Sequence, residues 1–235
     1  MSNIKINNIE GLINSKYTLS GVNNISKSKK SNKKKSNKKK SNKKKSKKNN
    51  NKCYNNRLSL YEGKKAPILT LEIRQKNLKV KGDNKYSWGK LKTKDIYKNK
   101  KIIIFALPGA YTPTCSNTHL PGYEKNYNKI KKLGIDEIYC LSVNDAFVMF
   151  NWCKKLKIKN VKPLPDGNGK FTKKMGALVN KSNLGFGQRS WRYSMVINNG
   201  KIEKIFTEKG MSNNCPSDPF EITDADTMIK YLKSN

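Results

Sequence analysis

The sequence predicts an α/β fold, namely a three-layer α/β sandwich with a central mixed sheet. Two patterns predict it. Apolar runs of strand length alternate with helix-like segments in the middle of the chain, and a strand, a tight turn, a strand and a helix follow near its end. Alternating strands and helices favour parallel strands with helices on both faces, and a hairpin adds antiparallel strands.

Five segments are predicted to be strands: residues 67–73, 102–107, 137–143, 192–197 and 201–206. The first has a β-branched, alternating pattern, and the next two are continuous apolar runs of the kind that is buried on both faces. The last two flank Asn198-Asn199-Gly200. Such a turn between two apolar runs is a strong signal for a β-hairpin.

Four segments are predicted to be helices: residues 113–133, 146–156, 171–178 and 224–232. The first is expected to bend at Pro121-Gly122, because proline removes a helical hydrogen bond, and to end at Gly134. Asn144-Asp145 supplies capping residues for the second helix, whose apolar side includes Phe147 and Trp152.

The chain is strongly basic throughout. Its 235 residues contain 51 Lys and Arg against 16 Asp and Glu, a formal net charge of +35. Residues 1–52 contain 17 lysines and one glutamate, so they bury little apolar surface and repel one another. We therefore expect a disordered lysine-rich tail or leader over residues 1–60 and a folded domain over residues 61–235. Because that domain is also basic, the tail is not singled out as a nucleic-acid arm.

The cysteine pattern indicates free thiols. The five cysteines are Cys53, Cys115, Cys140, Cys153 and Cys215. Their odd number, their irregular spacing and the single histidine argue against a zinc site or a disulfide framework. Such a set suits a reducing intracellular compartment. The sequence contains no apolar run of about 18 residues, so no membrane-spanning segment is predicted, and its start lacks the apolar core of a secretory signal.

Cys115 is the candidate nucleophile. It follows the apolar run 102–107 through Pro108-Gly-Ala-Tyr-Thr-Pro-Thr, which places the thiol in the first turn of a helix. Unpaired backbone N–H groups and the positive end of the helix dipole meet there and favour a thiolate over a thiol. A thiolate is the form that attacks electrophiles, so the residues alone predict a reactive thiol.

The pattern Pro108-x-x-x-Thr112-x-x-Cys115, followed by His119-Leu-Pro-Gly-Tyr123, resembles the active-site motif of peroxiredoxins, in particular the type II (five-like) subgroup. Further stretches agree in the same order: residues 136–145, 147–149, 166–169, 192–196, 218–220 and 224–228. The resemblance covers about residues 61–235. It implies a thioredoxin-like fold, peroxidase activity on hydrogen peroxide and organic hydroperoxides, no metal, haem or other cofactor, and a homodimer.

The resemblance implies roles for four residues. Cys115 would attack the peroxide and become a sulfenic acid. Thr112, one turn earlier, would point its hydroxyl into the same pocket, while Pro108 would fix the loop and exclude water. Arg192 would hold the thiolate and the peroxide oxygen together, because a guanidinium keeps its proton and offers several donors.

Arg189 and His119 are two further candidates for the site. Arg189 lies three residues before Arg192, but strand alternation would place positions 190, 192 and 194 on one face and 189 on the other, and the family pattern also selects Arg192. His119 is expected to be a structural helix residue. The implied mechanism needs no imidazole, and no carboxylate is placed by the sequence to orient one.

The return of Cys115 to its thiol is open at this point. We favour a one-cysteine cycle in which glutathione and a glutaredoxin act as reductants, glutathione being a co-substrate. Cys140 matches a second cysteine of plant-like members but lies in an apolar strand. Cys215 lies in a loop-like segment, roughly where some animal relatives carry a resolving cysteine. A two-cysteine cycle through Cys215 or Cys140, or direct reduction by thioredoxin, is the alternative.

Two other function classes stay open. The chain could be a thiol redox relay or chaperone-like binding protein, or a nucleic-acid-associated protein that uses its lysine-rich tail. No aromatic residue interrupts the lysine run between residues 28 and 51, so base stacking is not indicated. A role in antioxidant defence and redox homeostasis fits the cytoplasm, or a mitochondrion or another organelle if the basic N-terminus is a leader.

Overall fold

The computed structural model describes residues 57–77, 79 and 86–235. The predicted disordered tail lies outside these residues up to position 56, as does Cys53. The first described element is a 3-10 helix, Arg57–Tyr61. Its Leu58 is fully buried in the hydrophobic core, so ordered packing includes residues before the expected boundary at position 60.

Nine strands are found in the described part of the chain: β1 (Thr70–Lys76), β2 (Tyr86–Lys92), β3 (Lys101–Ala106), β4 (Glu137–Ser142), β5 (Lys162–Pro165), β6 (Leu178–Asn180), β7 (Gln188–Ser190), β8 (Tyr193–Asn198) and β9 (Lys201–Thr207). Five of them form the central sheet in the order β5-β4-β3-β8-β9. The β5-β4-β3 pairs are parallel and the β3-β8-β9 pairs are antiparallel, so the sheet is mixed as predicted. The pairs β1-β2 and β6-β7 form two small antiparallel sheets.

Strand β3 divides the core into two halves. Ile102, Ile104 and Ala106 belong to one buried cluster, and Ile103 and Phe105 to the other. This alternation is what a strand in the middle of a sheet requires, because successive side chains point to opposite faces. The continuous apolar run that predicted the strand is therefore explained by helices on both faces.

Six α-helices complete the described layers: α1 (Thr93–Tyr97), α2 (Leu120–Lys125), α3 (Tyr127–Lys132), α4 (Ala146–Lys155), α5 (Lys170–Lys174) and α6 (Ala225–Lys233). Buried side chains of α2, α3, α4 and α6 join the cluster that contains Phe105. Those of α1 and α5 join the cluster that contains Ile104. Asp145 and Asp224 cap α4 and α6 by accepting hydrogen bonds from two backbone N–H groups each.

Most predicted elements are confirmed, with shifted ends. In the hairpin, Asn199 and Gly200 both have positive φ angles (45° and 82°), the conformation that its two-residue turn requires. The helix predicted over residues 171–178 ends instead at Lys174. Gly176 adopts the left-handed conformation there (φ 67°), which terminates helices and frees Leu178–Asn180 to form β6.

The helix that carries Cys115 departs from prediction in one respect. It continues through Pro121-Gly122 and is interrupted at Asn126. A π-helical turn, Cys115–His119, precedes the proline, and the N–H of Leu120 bonds to the carbonyl of Cys115 five residues earlier. This wider turn accommodates Pro121, which has no N–H to donate.

Candidate active site

Cys115 lies at the junction between strand β3 and the following helix. Helical residues begin at Pro113, so Cys115 lies in the first turn and opens the π-helical segment. The N–H of Ser116 bonds to the carbonyl of Thr112 at 3.0 Å and closes this turn. The side chain of Cys115 has no exposed surface. The sulfur is therefore enclosed at a helix start.

Arg192, which lies 77 residues after Cys115 in the sequence, meets this sulfur. It lies in the short link between β7 and β8, and it is only 1% exposed. Its Nη1 lies 3.6 Å from Cys115 Sγ and 3.0 Å from Nδ1 of His119. A buried guanidinium beside a sulfur stabilises negative charge on that sulfur.

Asp218 neutralises the same guanidinium from the other side. Both of its carboxylate oxygens lie 2.6 Å from Arg192 Nη2. The ring of Phe220 lies 5.4 Å from the guanidinium carbon of Arg192. The Nε of Arg192 is buried and has no hydrogen-bond partner among the described residues. Arg192 is thus held by an acid, an imidazole and a ring while one N–H stays unused.

His119 is buried among aromatic rings and polar partners. The Phe105 and Phe220 rings both lie 4.8 Å from the imidazole, and Nε2 lies 3.1 Å from the carbonyl oxygen of Thr223. Burial lowers the pKa of His119 well below its usual value, and the charge of Arg192 lowers it further. The expectation that His119 is merely a structural helix residue is therefore incomplete, because its ring contacts the arginine that faces the sulfur.

The loop between β3 and the helix is held by short hydrogen bonds. Thr112 donates its hydroxyl to the carbonyl of Gly109 at 2.8 Å, which leaves the lone pairs of Oγ1 available as acceptors. Asn144 accepts from the N–H of Ala110 at 3.0 Å, and it is held in turn by the Ser142 hydroxyl. Pro108 is buried, as expected for a residue that fixes the loop.

Arg189 takes a different position from Arg192. Its Nη1 donates to the carbonyl of Val143 at 3.1 Å, and its Nε donates to the carbonyl of Phe186 at 3.0 Å. A side chain added at Gly109 would meet the Arg189 guanidinium at 3.3 Å, so this arginine packs against the outside of the loop. The structure thus brings Arg192, and not Arg189, to the sulfur.

The Redoxin family matches residues 62–227, most of the folded region. A peroxiredoxin of Synechocystis sp. is 56% identical over 170 residues, which span 72% of this chain and 90% of that protein. The chain belongs to the peroxiredoxin family. The hybrid peroxiredoxin hyPrx5 of Haemophilus influenzae is 50% identical over 175 residues, 74% of this chain and 67% of that protein.

Solved structures agree with the family and its thioredoxin-like fold. The antioxidant protein of Plasmodium falciparum, a 1-Cys peroxiredoxin, matches with a TM-score of 0.69 and 36% identity over 74% of this chain and all of that one. Peroxiredoxin 5 from Alvinella pompejana matches with a TM-score of 0.58 and 26% identity, over 74% of this chain and 98% of that one. The chain is accordingly a peroxidase of the peroxiredoxin family.

The other cysteines of this peroxiredoxin differ in their relation to Cys115. Cys140, in β4, is fully buried on the same side of the sheet, and Cys153 packs there from α4. Burial raises the pKa of Cys140 well above its usual value and that of Cys153 to about 12. Cys215 belongs to the cluster on the opposite side of the sheet.

Cys215 nevertheless has a distinctive environment. Its sulfur lies 3.4 Å from Oγ of Ser217, and the buried ammonium of Lys181 donates to the carbonyls of Cys215 and Ser217 at 3.3 Å. Burial raises the pKa of Cys215, but the hydrogen bonds with Ser217 and the charge of Lys181 outweigh it, so the net pKa is lowered.

Sequence reasoning missed the partners of Arg192. Asp218 occurs in a stretch that carries the family resemblance, yet nothing in its spacing shows that its carboxylate binds Arg192. Glu208, which is 2% exposed and accepts hydrogen bonds from the 221–223 segment, was also unforeseen. Ser116 receives the indole N–H of the buried Trp152 at 3.0 Å.

No helix within the described ranges is long and apolar enough to span a membrane.

Proposed function

We propose that Cys115 is the peroxide-reducing nucleophile of this peroxiredoxin and that glutathione, aided by a glutaredoxin, returns it to the thiol. The observation that carries the proposal is the 3.6 Å contact between Arg192 Nη1 and Cys115 Sγ in a buried pocket. The guanidinium of Arg192, which keeps its proton and its positive charge, is held against the sulfur of Cys115. That arrangement favours the thiolate and the negative charge that develops during its reaction.

The first step is a displacement at oxygen. The thiolate of Cys115 attacks the terminal oxygen of the hydroperoxide, the S–O bond forms and the O–O bond breaks. The sulfur is oxidised to a sulfenic acid, and the leaving alkoxide or hydroxide takes up a proton to give an alcohol or water. Arg192 stabilises the attacking sulfur and the departing charge. The free lone pairs of the Thr112 hydroxyl orient the peroxide O–H, and Pro108 limits the water in the pocket.

The second step regenerates the thiol. Glutathione thiolate attacks the sulfenic sulfur, the S–S bond forms, and hydroxide leaves as water after protonation. A second glutathione, or the glutaredoxin thiol, attacks the glutathione sulfur of this mixed disulfide and releases Cys115. Glutathione is therefore a co-substrate, and the proposed cycle requires no bound cofactor. Because Cys115 is fully buried, glutathione reaches the sulfur only after the first helical turn opens.

The positions of the other thiols support a one-cysteine cycle. Cys215 belongs to a different core cluster from Cys115, so a disulfide between them would require both thiols to leave their packing. Cys140 shares the side of Cys115 but is fixed within β4, where Cys140 is paired in register with Phe105. Burial keeps the Cys140 thiol protonated and therefore a poor nucleophile.

We also propose a homodimer. Tyr111 in the active-site loop, Phe147 at the start of α4 and Leu184 are between 41% and 48% exposed, although each is large and apolar. Large exposed hydrophobic side chains of this kind are candidates for burial against a second copy of the chain. Light scattering of the full chain should give twice the 26.8 kDa of one copy. A concentration-independent mass of one copy would exclude the dimer.

The regeneration route is tested by hydroperoxide consumption in two reductant systems. Glutathione with glutaredoxin, and separately thioredoxin, are supplied to the wild type and to Cys115→Ser, Cys140→Ser and Cys215→Ser. We expect Cys115→Ser alone to abolish turnover with glutathione and glutaredoxin. Turnover retained by Cys115→Ser would refute the assignment of the nucleophile. Thioredoxin-driven turnover that depends on Cys215 or Cys140 would instead establish a two-cysteine cycle.

A further inference from the structure

Arg192, His119, Thr223 and Glu208 are joined in a closed ring of hydrogen bonds. Arg192 Nη1 contacts His119 Nδ1 at 3.0 Å, and His119 Nε2 contacts the carbonyl oxygen of Thr223 at 3.1 Å. The N–H and hydroxyl of Thr223 donate to Oε1 of Glu208 at 3.0 and 2.8 Å. The N–H of Glu208 donates to the carbonyl of Arg192 at 3.2 Å and closes the ring. All four residues are at most 2% exposed.

This ring of hydrogen bonds is compatible with only one protonation state of His119. A guanidinium has no acceptor atom, so the contact with Nδ1 requires an unprotonated Nδ1 that accepts from Arg192. A carbonyl oxygen cannot donate, so Nε2 must carry the hydrogen and donate it to Thr223. His119 is therefore neutral with its hydrogen on Nε2. The lowered pKa of His119, caused by burial and then by Arg192, agrees with this state.

The imidazole is itself anchored on both sides. The Thr223 carbonyl that receives its hydrogen also receives the hydroxyl of Tyr123 at 3.1 Å. The segment before Thr223 is fixed because Glu208 Oε1 accepts the N–H groups of Glu221 and Ile222 at 2.9 and 3.0 Å. His119 consequently has little freedom to follow a displacement of Arg192.

We propose that His119 is a positioning residue: its neutral imidazole accepts one N–H of Arg192 Nη1, so that the other N–H of the same nitrogen points at Cys115 Sγ. Nη1 has two hydrogens, and its two contacts in this pocket are the imidazole and the sulfur. Asp218 binds Nη2 and makes no contact with Nη1, so the imidazole is the group that fixes the direction of the Nη1 hydrogens. The inference rests on the assignment of Cys115 as nucleophile and Arg192 as its partner.

The protonation state can be read in the unmodified protein. The full chain contains one histidine, so protein labelled with ¹⁵N-histidine has one pair of ring nitrogen signals. We expect a protonated Nε2, an unprotonated Nδ1, and no change of this pattern between pH 8 and pH 6. A charged imidazole at pH 7, or a hydrogen on Nδ1, would overturn the proposal without any variant having to fold.

Two substitutions separate the acceptor from the donor. In His119→Asn the side-chain oxygen can take the place of Nδ1 and accept from Arg192, whereas in His119→Gln the amide nitrogen takes the place of Nε2 and the acceptor is lost. We expect His119→Gln to lower the second-order rate with hydrogen peroxide by about tenfold or more, and His119→Asn to restore most of that loss. Competition for hydrogen peroxide with a haem peroxidase gives this rate before any reductant is involved.

The NMR signals of the Arg192 guanidinium provide a second readout. Loss of the acceptor releases one N–H of Arg192, so the Nη–H signals of Arg192 should shift in His119→Gln and stay close to those of the wild type in His119→Asn. Asn117→Gln, an exposed neighbour in the same turn, is the matched control and should behave like the wild type. Thermal unfolding of each variant confirms that it is folded.

The outcomes are distinct. If Cys115→Ser still consumes peroxide, the proposed function fails. If Cys115 is required but His119→Gln and His119→Asn have equal rates and equal Arg192 signals, His119 is structural only and this inference fails.

Discussion

Both oxygens of the Asp218 carboxylate lie 2.6 Å from a single nitrogen of Arg192, Nη2. Arg192 is almost completely buried, while the Asp218 side chain is 37% exposed. A buried guanidinium needs such a counter-charge, because an unpaired charge away from water is strongly destabilising. Since the carboxylate takes Nη2, the nitrogen that faces Cys115 is Nη1. Asp218 thus decides which edge of the guanidinium meets the sulfur.

Asp218→Asn should lower the rate with hydrogen peroxide by about tenfold, because a neutral amide holds the guanidinium less firmly than a carboxylate does. The measurement is the second-order rate in competition with a haem peroxidase. Glu221→Gln is the control, since its side chain is exposed and only its backbone contacts Glu208. An unchanged rate in Asp218→Asn would show that Arg192 is fixed without the acid.

Arg192→Lys should lower the peroxide rate by about 100-fold, because one ammonium cannot hold sulfur, imidazole and carboxylate in their separate directions. Arg189→Lys should stay within about twofold of the wild type, as the lost bonds go to backbone carbonyls outside the pocket. Single-turnover rates of both variants with hydrogen peroxide measure the contribution of each arginine. A larger loss in Arg189→Lys would exchange the roles of the two arginines.

The stability of the fold should depend on pH through His119. Burial and Arg192 hold its pKa well below the usual 6.5, so below that pH the unfolded chain binds a proton that the folded chain does not. The contribution is complete above pH 6.5 and declines as the pH falls, by about 1.4 kcal/mol per pH unit. Urea unfolding between pH 7.5 and pH 5 measures this slope.

His119→Asn provides the comparison for this slope. The chain contains no other histidine, so the variant removes the only imidazole that titrates in this range. The slope of the unfolding free energy against pH should decrease by about 1.4 kcal/mol per pH unit, the value for one proton. Equal slopes in the variant and the wild type would mean that His119 takes up its proton over the same pH range in the folded and the unfolded chain.

The thiols outside the pocket should be alkylated in a defined order. Among the described residues, the lowered pKa of Cys215 and the raised pKa values of Cys140 and Cys153 predict that Cys215 reacts with iodoacetamide before the other two at neutral pH. Peptide mass spectrometry of Cys115→Ser, in which the fourth described thiol is absent, measures each site. Early modification of Cys140 would show that β4 opens readily, and a resolving role for Cys140 would then become plausible.

Local patterns were sufficient to predict β1 and four of the five strands of the central sheet. The run from Ile102 to Leu107 predicted β3, the Asn199-Gly200 turn predicted the hairpin, and Asp145 predicted the start of α4. Strands β2, β5, β6 and β7 and helix α1 were not predicted. No residue of β2 is buried, and β5, β6 and β7 have only three or four residues, too few to show a clear periodicity. The 3-10 helix Arg57–Tyr61 was assigned mostly to the tail. Its burial depends on contacts that are distant in sequence.

The site was predictable where a motif is continuous. Pro108, Thr112 and Cys115 lie within eight residues, and Arg192 was selected by resemblance and alternation. Arg192 lies between two strands, so strand alternation is not the reason why this arginine, and not Arg189, contacts the sulfur. Asp218 and Glu208 were beyond prediction, because their contacts with the Arg192 region depend on how loops return to the sheet.

The hydrogen bond from Trp152 to Ser116 gives the active site its own optical signal. The three tryptophans of the chain are Trp88, Trp152 and Trp191, and only Trp88 is exposed. The Trp152 indole is bonded to the residue directly after Cys115, so unwinding of the first helical turn wets the indole and moves its fluorescence to longer wavelength. When Trp88 is replaced by phenylalanine, the remaining emission comes from Trp152 and Trp191. The ratio of emission at a longer to a shorter wavelength would then follow the opening of the pocket in real time, without an attached dye.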